Sequence, residues 1–525
     1  MQRLVHDRGL ANRCRLTAAL WWARFARLCL MRLQLNGRRQ AVPDHVPRIS
    51  PMSKVKYLSL RGRFVTRCGL ILGTVLLSQI PVFPVLSQTL TIRNATVVNV
   101  ATGQLLHHAS IVVDGNRITY VGPAVALDRS RGETVDATGL YVIPGLWDMH
   151  VHTYFGDTAS YHVGSELILP LFIANGITGI RDMGSNLDAV IRARDSVTAH
   201  KLIGPRMVVS GPMLDGPQTG YKAALRIATP DDGRAAVRML KEHGADFVKL
   251  QSGIPRDAYF AIADEATRVG MPFEGHVPDA IRAAEAIDAH QQSFEHLLGV
   301  FEASSRHEAS MIAGGKKGAA EFLETYDAER ERSIIRALAR HRVWQCPTLV
   351  SDLGTPADFA QDPGLPYWPR RAVDRWRQGS LRILDSTNTS TQAVQRRFVD
   401  HELEVVRKLH LANIPFLAGS DAPAGYDLVP GASLHRELQW LVAAGFTPLE
   451  ALQTATLNPA VFLKRQSDFG SVAPGKIADL IMLSRNPLTD IANTRSVVAV
   501  IADGRYYSAR DLERLRLQLM GIASK

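Results

Sequence analysis

Cysteine is scarce in this chain of 525 residues, which contains four of them. Three, Cys14, Cys29 and Cys68, lie in the first 87 residues, so Cys346 is alone in the remainder. A segment with one cysteine cannot form an internal disulfide, and it must therefore be stabilised by an apolar core. The remaining 438 residues are long enough to bury such a core.

Acidic residues are almost absent from the same first 87 residues, which hold 15 Lys and Arg against 2 Asp and Glu. Because the whole chain carries a net charge of +11, the other 438 residues carry a net charge of −2. The sequence pI of 9.6 therefore reflects the leader and not a basic surface on the rest of the protein. We predict that the protein does not bind nucleic acid.

The first 87 residues have the layout of a leader that contains a secretory signal peptide. Residues Lys54–Arg67 are basic, Cys68–Val85 are mostly apolar, and the small residue Ser87 stands just before Gln88. This order predicts a true start at Met52, cleavage near Ser87 and an exported protein, either periplasmic or secreted.

The alternative for the leader is an uncleaved membrane anchor, because the apolar stretch is about long enough to span a bilayer. Pro81 and Pro84 near its end, together with the small residue at the cleavage site, favour removal. We expect no stable membrane span after processing. The sequence leaves open whether residues 1–51 are translated.

Short β-rich runs occur at both ends of the chain beyond the leader. Residues 88–144 contain several, and in one of them Asp114-Gly115-Asn116 separates two apolar runs as a hairpin turn does. A similar texture returns over residues 470–508. We predict one small β-sandwich domain built from both segments, followed by a C-terminal helical tail over residues 509–525.

Residues 145–469 alternate between strand-like runs and helical patterns, one of which starts at Thr447-Pro448-Leu449-Glu450. Eight units over this length favour an α/β fold, a (β/α)8 TIM barrel, over a doubly wound open sheet. The stretch Gly354–Thr391 is predicted to be an insertion after the seventh strand. The strand-like runs are the one that ends at His152, Ile177–Asp182, Arg206–Ser210, Phe247–Leu250, Pro272–His276, Ser293–Leu297, Val343–Val350 and Ile414–Ser420.

Two histidines that are separated by one residue end the first of these runs. Residues i and i+2 of a strand face the same side, so His150 and His152 can offer two imidazole nitrogens to one metal ion. The alternative for an isolated pair of this kind is a surface strand with two solvated histidines.

Four further candidate ligands lie at the C-terminal ends of other predicted strands, where the functional residues of a barrel are found. They are Lys249, His276, His296 and Asp421. Each has an ordinary explanation when taken singly, as an ion-pair partner, a core histidine or a helix cap. Their common position at one end of successive strands favours a shared metal site.

These residues and their surroundings resemble the amidohydrolase superfamily of metal-dependent hydrolases. The resemblance covers nearly all of the chain beyond the leader. It rests on the His-x-His pair, on Lys249 in Ala-Asp-Phe-Val-Lys-Leu, His276 in Glu-Gly-His-Val-Pro, His296 in Phe-Glu-His and Asp421 in Gly-Ser-Asp-Ala-Pro, and on the phrases at 142–145, 179–184 and 474–480.

The resemblance implies a binuclear centre with two divalent metal ions. In the family the matching lysine binds carbon dioxide as a carbamate that bridges both ions, so a carbamate (carboxylysine) is expected on Lys249. Imidazole and carboxylate ligands suit zinc, with manganese or cobalt as alternatives. Relatives that use a single ion and no functional lysine leave a mononuclear centre open.

The resemblance also assigns the remaining ligands. His150, His152 and Asp421 would hold the first ion, and His276 and His296 would hold the second. A metal-bridging hydroxide would attack a carbonyl carbon, and Asp421 would act as proton shuttle, first as general base and then as general acid.

The overall texture is similar to that of exported Xaa-Pro dipeptidase-like and imidazolonepropionase-related members. This likeness implies hydrolysis of an amide or peptide C–N bond in a dipeptide-like or N-acyl amino acid-like small molecule. Tyr221, Lys222 and Arg181 are candidates for contact with the substrate carboxylate. The alternatives are a mononuclear deaminase or cyclic amide or amidine hydrolase, and a non-catalytic scaffold; a homo-oligomer is also possible.

Overall fold

The computed structural model describes residues 89–123, 132–156, 163–315, 317–353, 360–386, 389–424 and 428–524. The predicted leader over residues 1–87, with its start at Met52 and its cleavage site near Ser87, lies outside these ranges. Parts of the predicted insertion Gly354–Thr391 also lie outside them.

Strands are concentrated at the two ends of the described chain and alternate with helices between them. The strands are β1 Thr89–Val98, β2 Leu105–Asp114, β3 Arg117–Pro123, β4 Glu133–Asp136, β5 Tyr141–Pro144, β6 Leu146–Val151, β7 Ile177–Asp182, β8 Arg206–Val209, β9 Met213–Asp215, β10 Ala224–Arg226, β11 Val248–Leu250, β12 Phe273–Gly275, β13 Ser293–Glu295, β14 Trp344–Cys346, β15 Leu480–Leu483, β16 Val497–Ala502 and β17 Arg505–Tyr507.

Most helices fall between β6 and β15, as the alternating pattern predicts. The α-helices are α1 Leu169–Ala174, α2 Leu187–Thr198, α3 Pro230–Glu242, α4 Arg256–Val269, α5 Ala283–Asp288, α6 Val300–Ala303, α7 Glu308–Ile312, α8 Ala319–Thr325, α9 Ala328–His341, α10 Leu349–Leu353, α11 Arg370–Ser386, α12 Thr389–Leu411, α13 Ala432–Ala443, α14 Pro448–Thr454, α15 Leu457–Phe462 and α16 Ala509–Ala523. A π-helical turn spans Gly164–Ile168, and 3-10 turns span Leu365–Tyr367 and Ile491–Arg495.

The two ends of the described chain form one eight-stranded sheet with the order β17-β16-β15-β5-β1-β2-β3, in which β4 pairs with β1. The predicted hairpin is confirmed, because β2 and β3 pair antiparallel and Asp114 faces Arg117 across a two-residue turn. Gly115 in that turn has a φ of +60°, which suits a residue without a Cβ. The predicted β-sandwich is not confirmed among the described residues, since the strands of both ends belong to a single sheet.

The middle of the chain is a mixed α/β structure with parallel sheets. Strands β6, β7 and β8 form one parallel sheet, and β9 to β14 form another. Single parallel bridges join Val151 to Ala422 and Gln345 to Phe416, which places the segment 416–422 beside both sheets. Closure of the strands into a ring, which the predicted TIM barrel requires, is not detected within the described ranges.

Local signals account for several of these elements. The helix start predicted at Thr447 is confirmed: Thr447 Oγ1 accepts a hydrogen bond from Glu450 N, and Glu450 Oε2 accepts one from Thr447 N. Seven of the eight predicted strand runs contain a strand, whereas the run Ile414–Ser420 contributes only a bridge.

No helix of the described segments combines the length and the apolarity needed to cross a bilayer.

Candidate metal centre

His150 and His152 lie at the end of β6, where their rings face the same side of the strand. The ring centroids are 5.4 Å apart, and both side chains are buried. Asp148, two residues earlier on the strand, accepts hydrogen bonds from Ser420 N at 2.9 Å and from Ser420 Oγ at 2.6 Å. These bonds fasten β6 to the segment that carries Asp421.

Asp421 lies directly beside the histidine pair. Its backbone N donates to the carbonyl of His150 at 2.8 Å, and the backbone N of His152 donates to the carbonyl of Ala422 at 3.0 Å. Carboxylate Oδ1 of Asp421 is then 3.1 Å from His152 Nε2 and 3.4 Å from His150 Nε2. Burial would raise the pKa of this carboxyl, but its contacts with the neighbouring histidines hold that pKa below its usual range.

His276 directly follows β12 and His296 directly follows β13, and the rings of both lie near His150 and Asp421. The centroid of the His296 ring is 4.7 Å from that of His150 and 4.9 Å from that of His276. Ligand atoms of His150, His296 and Asp421 all lie within 4.8 Å of one another. The structure therefore brings together the predicted residues of β6, β12, β13 and the segment after Phe416.

Each of the four imidazoles uses its Nδ1 atom on a partner outside the cluster. His150 Nδ1 contacts Glu295 Oε2 at 2.7 Å, and His152 Nδ1 contacts the carbonyl of Gly184 at 2.9 Å. The other two contacts are His276 Nδ1 to Ser252 Oγ at 2.8 Å and His296 Nδ1 to Thr348 Oγ1 at 2.6 Å.

These contacts fix which nitrogen can bind a metal. A carboxylate or a carbonyl can only accept, and the hydroxyl of Thr348 already donates to the carbonyl of Pro347 at 2.7 Å, so His150, His152 and His296 must donate from Nδ1. Their Nε2 atoms then carry the lone pair that a metal needs. Burial lowers the pKa of His150 to about 3 and that of His296 to about 4, so these rings are neutral at physiological pH.

Lys249 lies on β11 with a fully buried side chain whose Nζ has no hydrogen-bond partner. A Cβ on Gly275 would come within 2.8 Å of Lys249 Cδ, so glycine at that position leaves space for the lysine stem. Burial lowers the pKa of Lys249 to about 8, although the charges of Glu295 and Asp421 favour its protonated form. A buried amine without a hydrogen-bond partner, together with imidazoles and a carboxylate, has the donor chemistry of a divalent metal centre.

Arg181, the third candidate for contact with the substrate carboxylate, lies within β7. Its side chain is fully buried, and Nη1 and Nη2 contact Glu274 and Glu295 at 2.7 and 2.9 Å. Nε donates to the carbonyl of Met149 at 2.6 Å. The guanidinium is therefore committed to the protein interior and cannot meet a substrate carboxylate, which corrects its candidacy as a substrate contact.

Tyr221 lies at the edge of the cluster, and Lys222 is the next residue along the chain. The Tyr221 ring is 5.7 Å from that of Phe155, which is 5.0 Å from the ring of His152. Tyr221 is 36% exposed, and Lys222 is exposed too. Tyr221 keeps its place as a candidate substrate contact at the rim.

Residues that support the candidate ligands escaped the sequence interpretation. Glu295, Ser252 and Thr348 each hold an imidazole by its Nδ1 atom, and Asp148 holds the segment of Asp421. Glu295 immediately precedes His296, and on a regular strand neighbouring residues face opposite sides. His296 has a φ of +59°, so the strand ends there and both side chains reach His150.

Residues 141–506 match the model of the Amidohydrolase family. This range begins with β5 and ends within β17, so it includes all the candidate ligands and part of the terminal sheet.

Individual proteins are similar at lower identity. The chain is 26% identical over 412 residues to adenine deaminase 3 of Rhizobium meliloti, a match that covers 75% of this chain but 54% of the deaminase, or about half its length. It is 24% identical over 448 residues to ochratoxinase of Aspergillus niger, covering 74% of this chain and 80% of that protein. The crystal structure of a Xaa-Pro dipeptidase with bound methionine has a TM-score of 0.60 at 21% identity, covering 80% of this chain and all of the dipeptidase chain, which shows a shared fold.

Proposed function

Because the chain belongs to the amidohydrolase family, we propose that it is a binuclear zinc enzyme that hydrolyses an amide or peptide C–N bond. The observation that carries this proposal is the buried amine of Lys249, which has no hydrogen-bond partner and lies beside imidazoles whose Nδ1 atoms are already engaged. Burial lowers the pKa of Lys249 to about 8 and so increases the neutral fraction of the amine, which is the form that can bind carbon dioxide as a carbamate. Two closely spaced cations need a bridging anion of this kind.

The proposed ligand set uses every candidate that the structure gathers. Two divalent ions held there would supply a nucleophile from water at neutral pH and polarise the carbonyl of the substrate. Neutral imidazoles and an ionised carboxylate are the protonation states that such binding requires. The proposed ligands are His150, His152 and Asp421 for the first ion, His276 and His296 for the second, and the Lys249 carbamate for both.

Asp421 is the residue that we propose to transfer the proton. The pKa of its carboxyl lies below the usual range, so the group is ionised at neutral pH, and Oδ1 faces the Nε2 atoms of His150 and His152. An ionised carboxylate there can take the proton of the attacking water and deliver it to the departing amine. Asp421 would thus act first as general base and then as general acid.

A dipeptide-like or N-acyl amino acid-like substrate is proposed from similarity and from the rim of the site. The similar proteins called ochratoxinase and Xaa-Pro dipeptidase support a substrate with an amide or peptide bond. Tyr221 is the candidate contact for its carboxylate, because it is half-exposed and adjoins Phe155 beside His152. Lys222, the next residue in the same loop, is the second candidate.

A second candidate function is deamination or hydrolysis of a cyclic amide or amidine with one metal ion. The similarity to adenine deaminases favours it, although the chain spans about half the length of adenine deaminase 3. A mononuclear centre would leave Lys249 as a buried amine without a carbamate. Metal count and product identity distinguish this function from the first.

The test is a metal analysis combined with a substrate panel. Protein reconstituted with Zn²⁺ would be assayed against dipeptides, N-acyl amino acids, lactones, ring amides and purines. We expect two ions per chain and the release of a free amino acid. One ion per chain with release of ammonia would replace the proposal by the second candidate, and an absence of bound metal would refute both.

The finer architecture is also a proposal. We propose that the parallel strands close into a (β/α)8 barrel, supported by the bridges Val151–Ala422 and Gln345–Phe416 on one side. The terminal sheet is proposed to curl into a sandwich, supported by hydrogen bonds between Ile118 and residues 475–476 at 2.7 and 2.8 Å. The domain bounds 88–144, 145–469, 470–508 and 509–525, the signal peptide and export of the protein remain proposals in the same sense.

A further inference from the structure

The four imidazoles of the candidate centre differ in the hydrogen-bond partner of their Nδ1 atoms. His152, His276 and His296 contact a carbonyl or a neutral hydroxyl through Nδ1. His150 is the one of these four whose Nδ1 atom contacts a carboxylate, that of Glu295, at 2.7 Å. A carboxylate behind a metal-binding histidine fixes its orientation and raises the basicity of the ring.

Glu295 is itself held on its other oxygen. Oε1 accepts a hydrogen bond from Arg181 Nη2 at 2.9 Å and one from Ser293 Oγ at 2.5 Å. The carboxylate is fully buried between the guanidinium of Arg181 and Nδ1 of His150, and the cationic guanidinium favours its ionised form. Glu295 is therefore an anion with both oxygens engaged, which leaves its side chain little freedom.

Arg181 is held as firmly as Glu295. Nε donates to the carbonyl of Met149, the residue before His150, and Nη1 donates to Glu274 at 2.7 Å. Its guanidinium carbon lies 5.0 Å from the centroid of the Phe462 ring. One guanidinium thus contacts both the backbone next to His150 and the carboxylate behind the ring of His150.

A role in stability alone does not account for this arrangement. Buried ion pairs contribute little net stability, because removing the two charges from water offsets most of their attraction, and apolar residues of similar volume do as well or better. The interior under the candidate centre nevertheless holds Arg181 between two buried carboxylates. What the arrangement does provide is a fixed position and an anionic partner for one imidazole.

We propose that Glu295 and Arg181 are positioning residues that orient and polarise His150 for the first metal ion. The inference rests on the proposed metal centre and goes beyond its ligand set. Because the other three rings have neutral partners, the two ion positions are unequal. The position of His150, His152 and Asp421 should fill first and release its ion last.

The experiment titrates the metal-free full chain with Zn²⁺ in competition with a chromogenic chelator. Glu295→Gln keeps the size of the side chain and removes its charge, and it should weaken the first binding step about 10- to 100-fold. The second step should change by less than about threefold. Glu331→Gln is the matched control, because Glu331 is another buried carboxylate that pairs with a cation, Lys408 Nζ at 2.7 Å. Both binding steps of this variant should match the wild type.

A second variant and a second measurement separate positioning from folding. Ser293→Ala removes one hydrogen bond to Glu295 and keeps the charge, so it should weaken the first step only a few-fold, and it remains available if Glu295→Gln does not fold. A merely structural role would lower the unfolding temperature of the metal-free variants and leave Zn²⁺ affinity unchanged. If the folded variants bind the first Zn²⁺ ion as tightly as the wild type does, the positioning role is refuted and the proposed metal centre is not affected. A wild type that takes up no Zn²⁺ would overturn the proposed metal centre and this inference with it.

Discussion

Replacing Lys249 by methionine is expected to stabilise the metal-free protein at neutral pH. Methionine has about the length of the lysine stem and carries no charge, so it can occupy the space beside Gly275 without an orphaned amine. The same change should reduce the metal content from two ions per chain to at most one, because the carbamate cannot form. One substitution thus tests both the burial of the amine and its proposed role.

The magnitude follows from the pKa of the lysine. Burial lowers that pKa from an ordinary 10.5 to about 8. At about 1.4 kcal/mol per pKa unit, this difference makes the folded state about 3.5 kcal/mol less stable at pH 7 than it would be without the charge. Because the folded pKa lies below the unfolded one, the penalty is fully present below pH 8 and is lost as the pH rises towards 10.5. The advantage of Lys249→Met should therefore shrink to about 1.5 kcal/mol at pH 9.5.

The assay is denaturant unfolding of metal-free protein in buffer depleted of carbon dioxide, at pH 7 and at pH 9.5. Lys241→Met on α3 is the control, since Lys241 is exposed and its replacement should change the free energy of unfolding by less than about 0.5 kcal/mol. A Lys249→Met protein that is less stable than the wild type at pH 7 would refute the reasoning. An advantage that does not change with pH would refute it as well.

Three further predictions concern the same site. Asp421→Asn should lower kcat by about 10²- to 10⁴-fold, because the amide cannot transfer a proton. Mass spectrometry should show that the variant keeps a near-normal Zn²⁺ content. Unchanged turnover would remove Asp421 from the mechanism. Arg181→Met should cost about 3–5 kcal/mol in denaturant unfolding, because it leaves Glu274 and Glu295 as buried carboxylates without their cation, and a cost under 1 kcal/mol would contradict the ion pairs seen here. Chelation should abolish hydrolysis, and Zn²⁺ with bicarbonate should restore it faster than Zn²⁺ alone; equal rates would argue against a carbamate on Lys249.

Much of the fold could be predicted because strands and helices leave periodic traces. The seven runs that became strands are short, apolar and separated by helical patterns, and the helix at Thr447 carries its own capping residues. The run Val343–Val350 shows the limit of the method, since it is a strand over Trp344–Cys346 and a helix from Leu349. An apolar run that is buried in both elements looks the same in the sequence. The short strands β9 and β10, of three residues each, left no periodic trace at all.

The candidate ligands could be predicted because histidine, lysine and aspartate stand at the ends of strands. The residues that contact the Nδ1 atoms of these histidines could not be predicted. Ser252 and Thr348 are ordinary loop residues in the sequence, and their role depends on which imidazole comes near them. Arg181 was predicted to contact the substrate, whereas its role lies in the protein interior. A charged residue at a strand end suggests a surface position. Here two interior carboxylates compensate the charge of Arg181, and the carbonyl of Met149 and the hydroxyl of Ser293 accept further hydrogen bonds from it.

The backbone at His296 and Asp421 explains how two neighbouring side chains can serve one site. Both residues have a φ of +59°, a left-handed conformation that costs a residue with a Cβ about 1–2 kcal/mol. If the strand continued regularly through His296, then either Glu295 or His296 would face away from His150, and the site would lose a candidate ligand or the carboxylate behind one. The turn brings both to His150, at 2.7 Å from Nδ1 for Glu295 and at 4.7 Å between the rings for His296. Backbone strain at the ends of these segments is therefore part of what assembles the centre, and it follows from tertiary contacts that no local sequence pattern encodes.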